Sequence, residues 1–285
     1  MPDHNPGTLY VVATPIGNLD DLTARAIRVL GQVTRIAAED TRHSGRLLTH
    51  LGLNKPMLSL HEHNEARRVE TLDGYLAAGE DIALISDAGT PLISDPGFVL
   101  VRELRARHRH IVPIPGPCAL ITALSGAGLP TDRFVFAGFL PAKPGARRQA
   151  LEGWKSREET LVFYESPHRI LHTLEALQAQ MAARDVVLAR ELTKTFETFL
   201  HGTPASLLEQ LTADPNQARG EFVVIVAGAP PVEQSEHQDI SADALLAALL
   251  EEGVGVKQGA SIAARILGGR KQVWYARLQA IKGEH

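Results

Sequence analysis

Short apolar runs alternate with longer stretches of helical apolar spacing over the first 116 residues. Continuous apolar runs are typical of buried parallel strands, and apolar positions three and four apart are typical of helices. The pattern predicts strands at 9–13, 35–38, 57–60, 82–86 and 111–115, and helices at 22–30, 65–78 and 96–107. We therefore expect an α/β domain with a largely parallel sheet at residues 1–116.

The residues Pro115, Gly116 and Pro117 then interrupt this pattern. A helix-compatible segment at 118–125 and a segment rich in glycine and proline follow, so a hinge is expected at 117–130. Five further strands are predicted at 134–139, 160–164, 185–190, 197–202 and 222–227, with helices at 147–154, 169–181 and 204–211. The pattern indicates a second α/β domain at 131–231.

The end of the chain has a different pattern. A polar linker at 232–240 precedes three short helical segments at 242–252, 257–267 and 270–281. A helix, a Gly-Gly turn and a second helix resemble a helix-turn-helix module, predicted here at 241–285. Trp274, Leu278 and Ile281 lie at helical spacing, which favours a role for them in the core of this module.

Composition places the chain among folded globular proteins, with 44% apolar and 22% charged residues. The single cysteine, Cys118, can form no intramolecular disulfide, and a cytoplasmic location is expected. The longest uncharged stretch, 111–131, contains four prolines, so no membrane role is indicated. The sequence His61-Glu62-His63 lacks further ligands nearby, and we expect no metal site.

The charge is unevenly distributed along the chain. The 29 basic and 33 acidic residues give a net charge of −4, which argues against coating of nucleic acid by bulk positive charge. However, residues 253–283 contain six basic residues and no acidic one, and the loop at 143–148 is also basic. These segments are either solvated charge runs or a local surface for phosphate contact.

One loop holds the clearest candidates for ligand binding. Residues 86–97 form a loop after the fourth strand that is rich in turn formers, and ligands bind beyond the carboxyl ends of such strands. We expect a ligand at Asp87–Thr90, with Asp95 as the N-cap of the next helix and Pro96 in its first turn. The loop after the first strand lacks GxGxxG, and no P-loop motif occurs, so dinucleotide and P-loop sites are excluded.

Three carboxylates are candidates for acid–base chemistry. Glu39 and Asp40 follow the second strand, and Glu165 ends a strand of the second domain. Asp40 either caps a helix that begins near Arg42 or contacts the substrate. Glu165 either acts as a base or binds a ligand, while the residues after it are typical of a helix start.

Five segments together carry a resemblance to a known family. They are VATPIGNL at 12–19, AEDTR at 38–42, SDAGTP at 86–91, PGP at 115–117 and FYESPHR at 163–169. In this combination the chain resembles the tetrapyrrole methylase superfamily, in the branch that methylates small-subunit ribosomal RNA. The resemblance covers nearly the whole chain.

The resemblance implies two α/β domains with S-adenosylmethionine in the cleft between them, usually in a homodimer. It implies 2′-O-methylation of a cytidine ribose in the decoding region of 16S rRNA, in naked rRNA or in the 30S particle. The implied cofactor residues are Pro15, Asp87, Ala88, Gly89, Thr90, Cys118, Ala119, Phe163, Tyr164, Glu165, Ala189 and Glu221. Relatives often have serine at the position of Cys118. Because a thiol is a weaker hydrogen-bonding group than a hydroxyl, a side-chain contact of Cys118 is weakened, whereas a backbone contact is unaffected.

Candidate bases for the ribose proton are Glu39, Asp40, His43 and Glu165. Candidate RNA contacts are Arg42, Lys143, Arg147, Arg148, Arg169, Arg270, Lys271 and Arg277. Two other functions remain open: a methylase acting on a tetrapyrrole or a diphthamide precursor, and a non-catalytic RNA-binding assembly factor. The first would more often have Gly-Asp-Pro in the loop at 86–91.

Overall fold

The computed structural model describes residues 5–61, 64–230 and 242–283. The first five strands form one parallel sheet in the order β3-β2-β4-β1-β5. The strands are β1 (Thr8–Val12), β2 (Arg35–Ala38), β3 (Met57–Ser59), β4 (Ile82–Ile85) and β5 (His110–Ile114). The helices that connect them are α1 (Ala24–Gln32), α2 (Thr41–His50), α3 (Glu65–Ala77) and α4 (Phe98–Ala106).

Both faces of this sheet are covered by helices. On β4, Ala83 and Ile85 belong to a core that includes residues of α1 and α2. Ile82 and Leu84 belong to a second core, with residues of α3 and α4. Because successive side chains of a strand point to opposite faces, a continuous apolar run is what a sheet covered on both sides requires. The predicted parallel α/β architecture is confirmed.

The second sheet is mixed, in the order β6-β7-β10-β8-β9. Only β6 and β7 run parallel, and β10 is antiparallel to both of its neighbours. The strands are β6 (Phe134–Phe139), β7 (Thr160–Glu165), β8 (Val186–Arg190), β9 (Thr198–Gly202) and β10 (Phe222–Val226). The helices α6 (Pro144–Gly153), α7 (Ile170–Met181) and α8 (Pro204–Ala213) share a core with one face of this sheet.

The other face of the second sheet packs against α5 (Ala119–Ala127). Leu120 and Leu124 of this helix are buried with Val162, Val187 and Ile225. Full burial of a leucine side chain contributes about 2 kcal/mol to stability. Most of the segment predicted as a hinge, 117–130, is this helix. Residues 1–229, which contain both sheets, form one compact unit.

The second compact unit, 230–285, contains α9 (Ala242–Glu251), α10 (Val256–Ile266) and α11 (Lys271–Gly283). Its core includes Leu246, Ala260, Ala263 and Leu278, with Trp274 and Ile281 packed against them. The predicted apolar stripe therefore lies in the core. The predicted linker at 232–240 lies outside the described residues. The same holds for three end residues of the predicted module, Ser241, Glu284 and His285, and for two residues of the histidine motif, Glu62 and His63.

The start of α4 differs from the prediction. The helix begins at Phe98, and Gly97, with φ of +127°, precedes it as the capping residue. Asp95 and Pro96 therefore belong to the preceding loop, and the expected capping role of Asp95 is wrong. Within the described part of the chain, no helix has the length and apolar character needed to cross a membrane.

Candidate functional site

A cleft of about 420 Å³ lies within residues 1–229, where loops of the two sheets face each other. This volume lies in the range of small-molecule sites. Loops after strands of the first sheet contribute Ile16, Ala88, Gly89, Thr90, Ile93, Ser94 and Asp95, and the start of α5 contributes Cys118 and Ala119. The second sheet and its loops contribute Phe139, Tyr164, Glu165, Ser166, Pro167, Ala189, Leu192, Glu221, Phe222 and Val223.

Backbone hydrogen bonds fix the wall of the cleft that belongs to the first sheet. The N–H of Gly89 donates to the Thr14 carbonyl at 3.0 Å, and the Thr14 N–H donates to the Gly89 carbonyl at 2.9 Å. The Thr90 hydroxyl donates to the Pro117 carbonyl at 2.9 Å. Loops that follow β1, β4 and β5 are thereby joined at the carboxyl ends of their strands. Gly89 has φ of +82°, a conformation that favours glycine.

The antiparallel direction of β10 builds the opposite wall. It places Phe222 beside Glu165 of β7 and Arg190 of β8, so the start of one strand meets the ends of two others. The Tyr164 hydroxyl accepts a hydrogen bond from the Leu120 N–H at 3.2 Å. Burial, followed by the electrostatic influence of the neighbouring Cys118, raises the pKa of Tyr164, so its phenol stays neutral at physiological pH.

The loops after β4 and after β8, which both border the cleft, contain strained backbone. Leu92 and Ser94 have φ of +73° and +66°, and Glu191 and Thr193 have φ of +49° and +64°. Such conformations are uncommon for residues other than glycine and cluster at functional sites. The strain therefore agrees with a binding role for this cleft.

Asp95 is a cleft residue that sequence reasoning assigned to a helix cap. Burial, followed by the nearby charge of Glu39, raises the pKa of Asp95 to about 6. A partly buried carboxylate at the wall of a cleft is a strong partner for a cationic ligand group. The one signal for it in the sequence is the length of the loop at 86–97, which exceeds what a simple strand-to-helix connection needs.

Glu165 lines the cleft but is held by its own structure. Its side chain is fully buried, and its oxygens accept hydrogen bonds from the Ser166 N–H at 2.8 Å and the Thr173 hydroxyl at 2.7 Å. The Arg169 guanidinium lies 3.2 Å from the same carboxylate and donates to the Leu140 carbonyl. These contacts favour a structural role for Glu165 and for Arg169 over the expected roles as base and RNA contact.

The other candidate bases lie beside α2 and outside the cleft lining. Asp40 caps α2, as one of the two predicted alternatives states, and its Oδ1 accepts the Arg42 N–H at 2.8 Å. The Arg42 side chain, 2.7 Å from Oδ2, holds the pKa of Asp40 well below its usual range. A carboxylate with such a low pKa is a weak proton acceptor. Glu39 is half-buried and His43 is exposed.

Nine predicted cofactor residues line the cleft, and three do not. The Phe163 ring is fully buried in the core beneath the second sheet. Pro15 and Asp87 line a separate, smaller cavity beside α2. Contrary to the expectation that they bind the cofactor, these three side chains therefore do not line the cleft. For Phe163 the reason is strand alternation, which points it away from the face that carries Tyr164.

The basic residues differ in their availability. Lys143, Arg148, Arg270 and Lys271 are exposed, whereas Arg147 is 5% exposed. The predicted RNA contact of Arg147 is therefore wrong, because its position on α6 points toward the core. Arg277 pairs with Asp243 at 2.8 Å on the surface of the helical unit. Within the described residues, no group of three or more histidine, cysteine or carboxylate side chains could hold a metal ion.

Comparisons with known proteins agree with this arrangement. The family model of tetrapyrrole (corrin/porphyrin) methylases matches residues 8–208. A second model, the RsmI C-terminal HTH domain, matches residues 236–282. The latter confirms the helix-turn-helix prediction for the end of the chain.

Curated relatives match over nearly the whole chain. A "Ribosomal RNA small subunit methyltransferase I" of Escherichia coli O157:H7 is 52% identical, and the match covers 96% of this chain and 95% of the relative. A protein of the same name from Pseudomonas aeruginosa is 53% identical, with coverage of 94% and 95%.

Two solved structures share the fold. A uroporphyrin-III-C-methyltransferase from Thermus thermophilus has a TM-score of 0.53 at 22% identity, covering 78% of this chain and 94% of its own. The methyltransferase CobJ has a TM-score of 0.59 at 21% identity, covering 78% and 95%.

Proposed function

The chain belongs to the tetrapyrrole methylase family, and from this membership we propose that it is an S-adenosylmethionine-dependent methyltransferase of small-subunit ribosomal RNA. The observation that carries the proposal is the near full-length match, at 52–53% identity, to relatives named for that activity. The helix-turn-helix match at 236–282 adds a module that a methylase of small tetrapyrroles would not need. This favours RNA over a tetrapyrrole or a diphthamide precursor as the substrate.

The cleft fits S-adenosylmethionine in volume and in chemistry. Leu192 and Val223 provide apolar surface, and Gly89 lets a ligand approach the backbone closely. The Asp95 carboxylate lies at the same cleft and complements a ligand that carries a sulfonium and an ammonium group. Cys118 and Tyr164 complete the surface between the two sheets.

Methyl transfer needs an acceptor oxygen placed in line with the methyl group and the sulfur. When bound, the cofactor supplies a methyl group made electrophilic by the positive sulfur. Alignment of reacting groups supplies much of the rate acceleration in such reactions. Because Asp40 and Glu165 are held by strong contacts, we assign the main contribution of the protein to positioning, with no single base. As the new carbon–oxygen bond forms and the carbon–sulfur bond breaks, the proton of the acceptor hydroxyl is released to solvent.

The finer features of the activity follow from the family resemblance. We propose that the acceptor is the 2′-hydroxyl of a cytidine ribose in the decoding region of 16S rRNA, in a cytoplasmic setting. The exposed residues Lys143, Arg148, Arg270 and Lys271 are proposed contacts to phosphate. A homodimer is the expected assembly.

The activity is testable by transfer of tritiated methyl groups from S-adenosylmethionine. Purified protein is incubated with naked 16S rRNA and, separately, with assembled small subunits from cells that lack the enzyme. We expect incorporation into one of these substrates, and a nuclease digest in which the label is in 2′-O-methylcytidine. Retained RNA affinity without transfer to either substrate would favour an assembly factor instead.

A further inference from the structure

The smaller cavity beside α2 has a volume of about 170 Å³. Pro15, Leu19 and Leu47 provide apolar surface, while Ser44, Arg46 and Asp87 provide polar groups. This volume is well below the range of about 300–1,000 Å³ that is typical of drug-sized ligands. The cavity therefore suits one small planar group and is too small for a tetrapyrrole.

The cavity is continuous in sequence with the wall of the cofactor cleft. Ser86 and Asp87 line the cavity, and the next three residues, 88–90, line the cleft. A single loop after β4 thus separates the two spaces. A substrate unit held in the cavity would lie beside the site at which methyl transfer is proposed.

Ser44 provides an independent indication of a ligand. This residue is 2% exposed, and its hydroxyl is buried without a hydrogen-bond partner within the described part of the chain. A buried polar group that makes no hydrogen bond costs about 1–3 kcal/mol, so such groups are rare without a functional reason. Because Ser44 lines the cavity, a ligand with polar edges would satisfy its hydroxyl.

We propose that this cavity binds the base of the nucleotide that is methylated, an inference that rests on the proposed function. Apolar walls suit the faces of a base, and the mixture of cationic, hydroxyl and carboxylate groups suits its edges. A phosphate is a poorer occupant because the Asp87 carboxylate lines the same space. Arg46, His43 and His50 of α2 are exposed at this cavity and complement the carbonyl edge of a base.

Asp87 is the residue that selects the base in this arrangement. Its Oδ1 accepts the Asp40 N–H at 3.1 Å, which orients the carboxylate from the adjacent strand end. A carboxylate accepts a hydrogen bond from the exocyclic amine of cytosine. Uracil has a carbonyl oxygen in place of this amine, and two acceptors facing each other repel. The cavity is therefore selective for cytosine over uracil.

The test compares substrates that carry cytidine or uridine at the methylated position of reconstituted small subunits. Asp87→Asn keeps the shape of the side chain while adding a donor. We expect the wild-type protein to prefer cytidine by about tenfold or more, and the variant to lose most of that preference. The dissociation constant for S-adenosylmethionine, measured by calorimetry, should stay unchanged.

Glu175→Gln is the matched control, since it makes the same chemical change at an exposed carboxylate of α7. Ser44→Ala is a second variant, which removes the hydroxyl and leaves the cavity open. We expect a several-fold higher KM for small subunits and unchanged cofactor affinity. If Ser44 has only a structural role, its replacement changes the melting temperature and leaves this KM unchanged, which overturns the proposal.

The remaining outcomes are also decisive. An unchanged cytidine preference in a folded, cofactor-binding Asp87→Asn protein would overturn the base pocket while leaving the proposed function intact. Loss of cofactor affinity in this variant would assign Asp87 to the cofactor site instead. Failure of the wild-type protein to methylate any small subunit contradicts the proposed function, and the inference with it.

Discussion

Asp95 carries a carboxylate whose acidity is weakened by its position in the cleft. Its pKa of about 6 in the folded protein lies above the ordinary value of 3.8. The folded state therefore binds the proton more tightly than the unfolded state, and stability falls as the pH rises from about 4 to 6. Below pH 4 both states are protonated, and the penalty is absent.

Asp95→Asn should remove this penalty. We expect the free energy of unfolding in urea to rise by about 2 kcal/mol at pH 8 and to change little at pH 4. The expected gain is smaller than the full pKa shift implies, because the Asp95 side chain is partly exposed to solvent. Glu175→Gln, at an exposed position, should change neither value. An equal gain for Asp95→Asn at both pH values would show that the burial of the charge is not the cause.

Glu165 is expected to contribute to stability through its buried contacts. Replacement by alanine leaves the Thr173 hydroxyl without its acceptor and the Arg169 guanidinium without its ion-pair partner, at a cost of about 3 kcal/mol. Glu221→Ala is the control at the cleft rim, because that side chain is 81% exposed. Its expected cost in chemical denaturation is below about 0.5 kcal/mol. Equal costs for the two variants would contradict the structural role.

Single residues also show where sequence reasoning reaches its limit. Asp95-Pro96 follows the local rules of helix capping, but α4 begins two residues later than these rules predict. The burial of the Asp95 side chain in the cleft depends on the tertiary structure, which local rules do not describe. Likewise, Arg147 belongs to a basic run in sequence but lies buried on α6. Local patterns report propensity, whereas the direction of a side chain depends on packing.

Among elements, the loop after β4 is expected to be sensitive to added volume at the glycine that lines the cleft. A Cβ at position 89 would lie 3.2 Å from Cγ2 of Ile16 in the cleft. Gly52 also has positive φ, but a Cβ there would meet no atom within 4 Å. Both Gly89→Ala and Gly52→Ala should lose about 1 kcal/mol of stability from the backbone strain.

Cofactor binding should distinguish these two glycines. We expect Gly89→Ala to weaken S-adenosylmethionine binding by about tenfold or more in calorimetry, because the added methyl group enters the cleft and displaces Ile16. Gly52→Ala should bind the cofactor as the unaltered protein does. Equal affinities for the two variants would exclude the loop at 86–91 from the cofactor site.

The elements themselves were largely predictable. All ten predicted strands occur, because apolar runs such as 82–85 are buried on both faces. The helix α2 was predicted only from its cap, since its sequence is mostly polar and includes Gly45. The direction of β10 was not predictable, because an apolar run is the same for parallel and antiparallel pairing. That direction brings Glu221 and Phe222 to the cleft.

At the scale of the whole molecule, one segment of the helical unit, 253–283, has six basic residues and no acidic one. Exposed Arg270 immediately precedes α11, and exposed Lys271 is the first residue of this helix. Changing both to glutamate should weaken binding to small subunits, reduce its dependence on salt, and leave cofactor affinity unchanged. Deletion of residues 241–285 should have a larger effect in the same direction. Filter binding at several salt concentrations provides the measurement, and undiminished binding by both proteins would contradict a role for this unit in RNA docking.

We propose that the cleft between the two sheets binds the cofactor and that the helical unit binds the RNA. The expected product is small-subunit rRNA with one methylated ribose. The most direct measurement is mass-spectrometric mapping of 16S rRNA from a strain in which the gene is deleted. We expect one cytidine in the decoding region to lose its 2′-O-methyl group and to regain it with the intact gene but not with the Gly89→Ala variant. A methylation map identical to that of the parent strain would contradict the account.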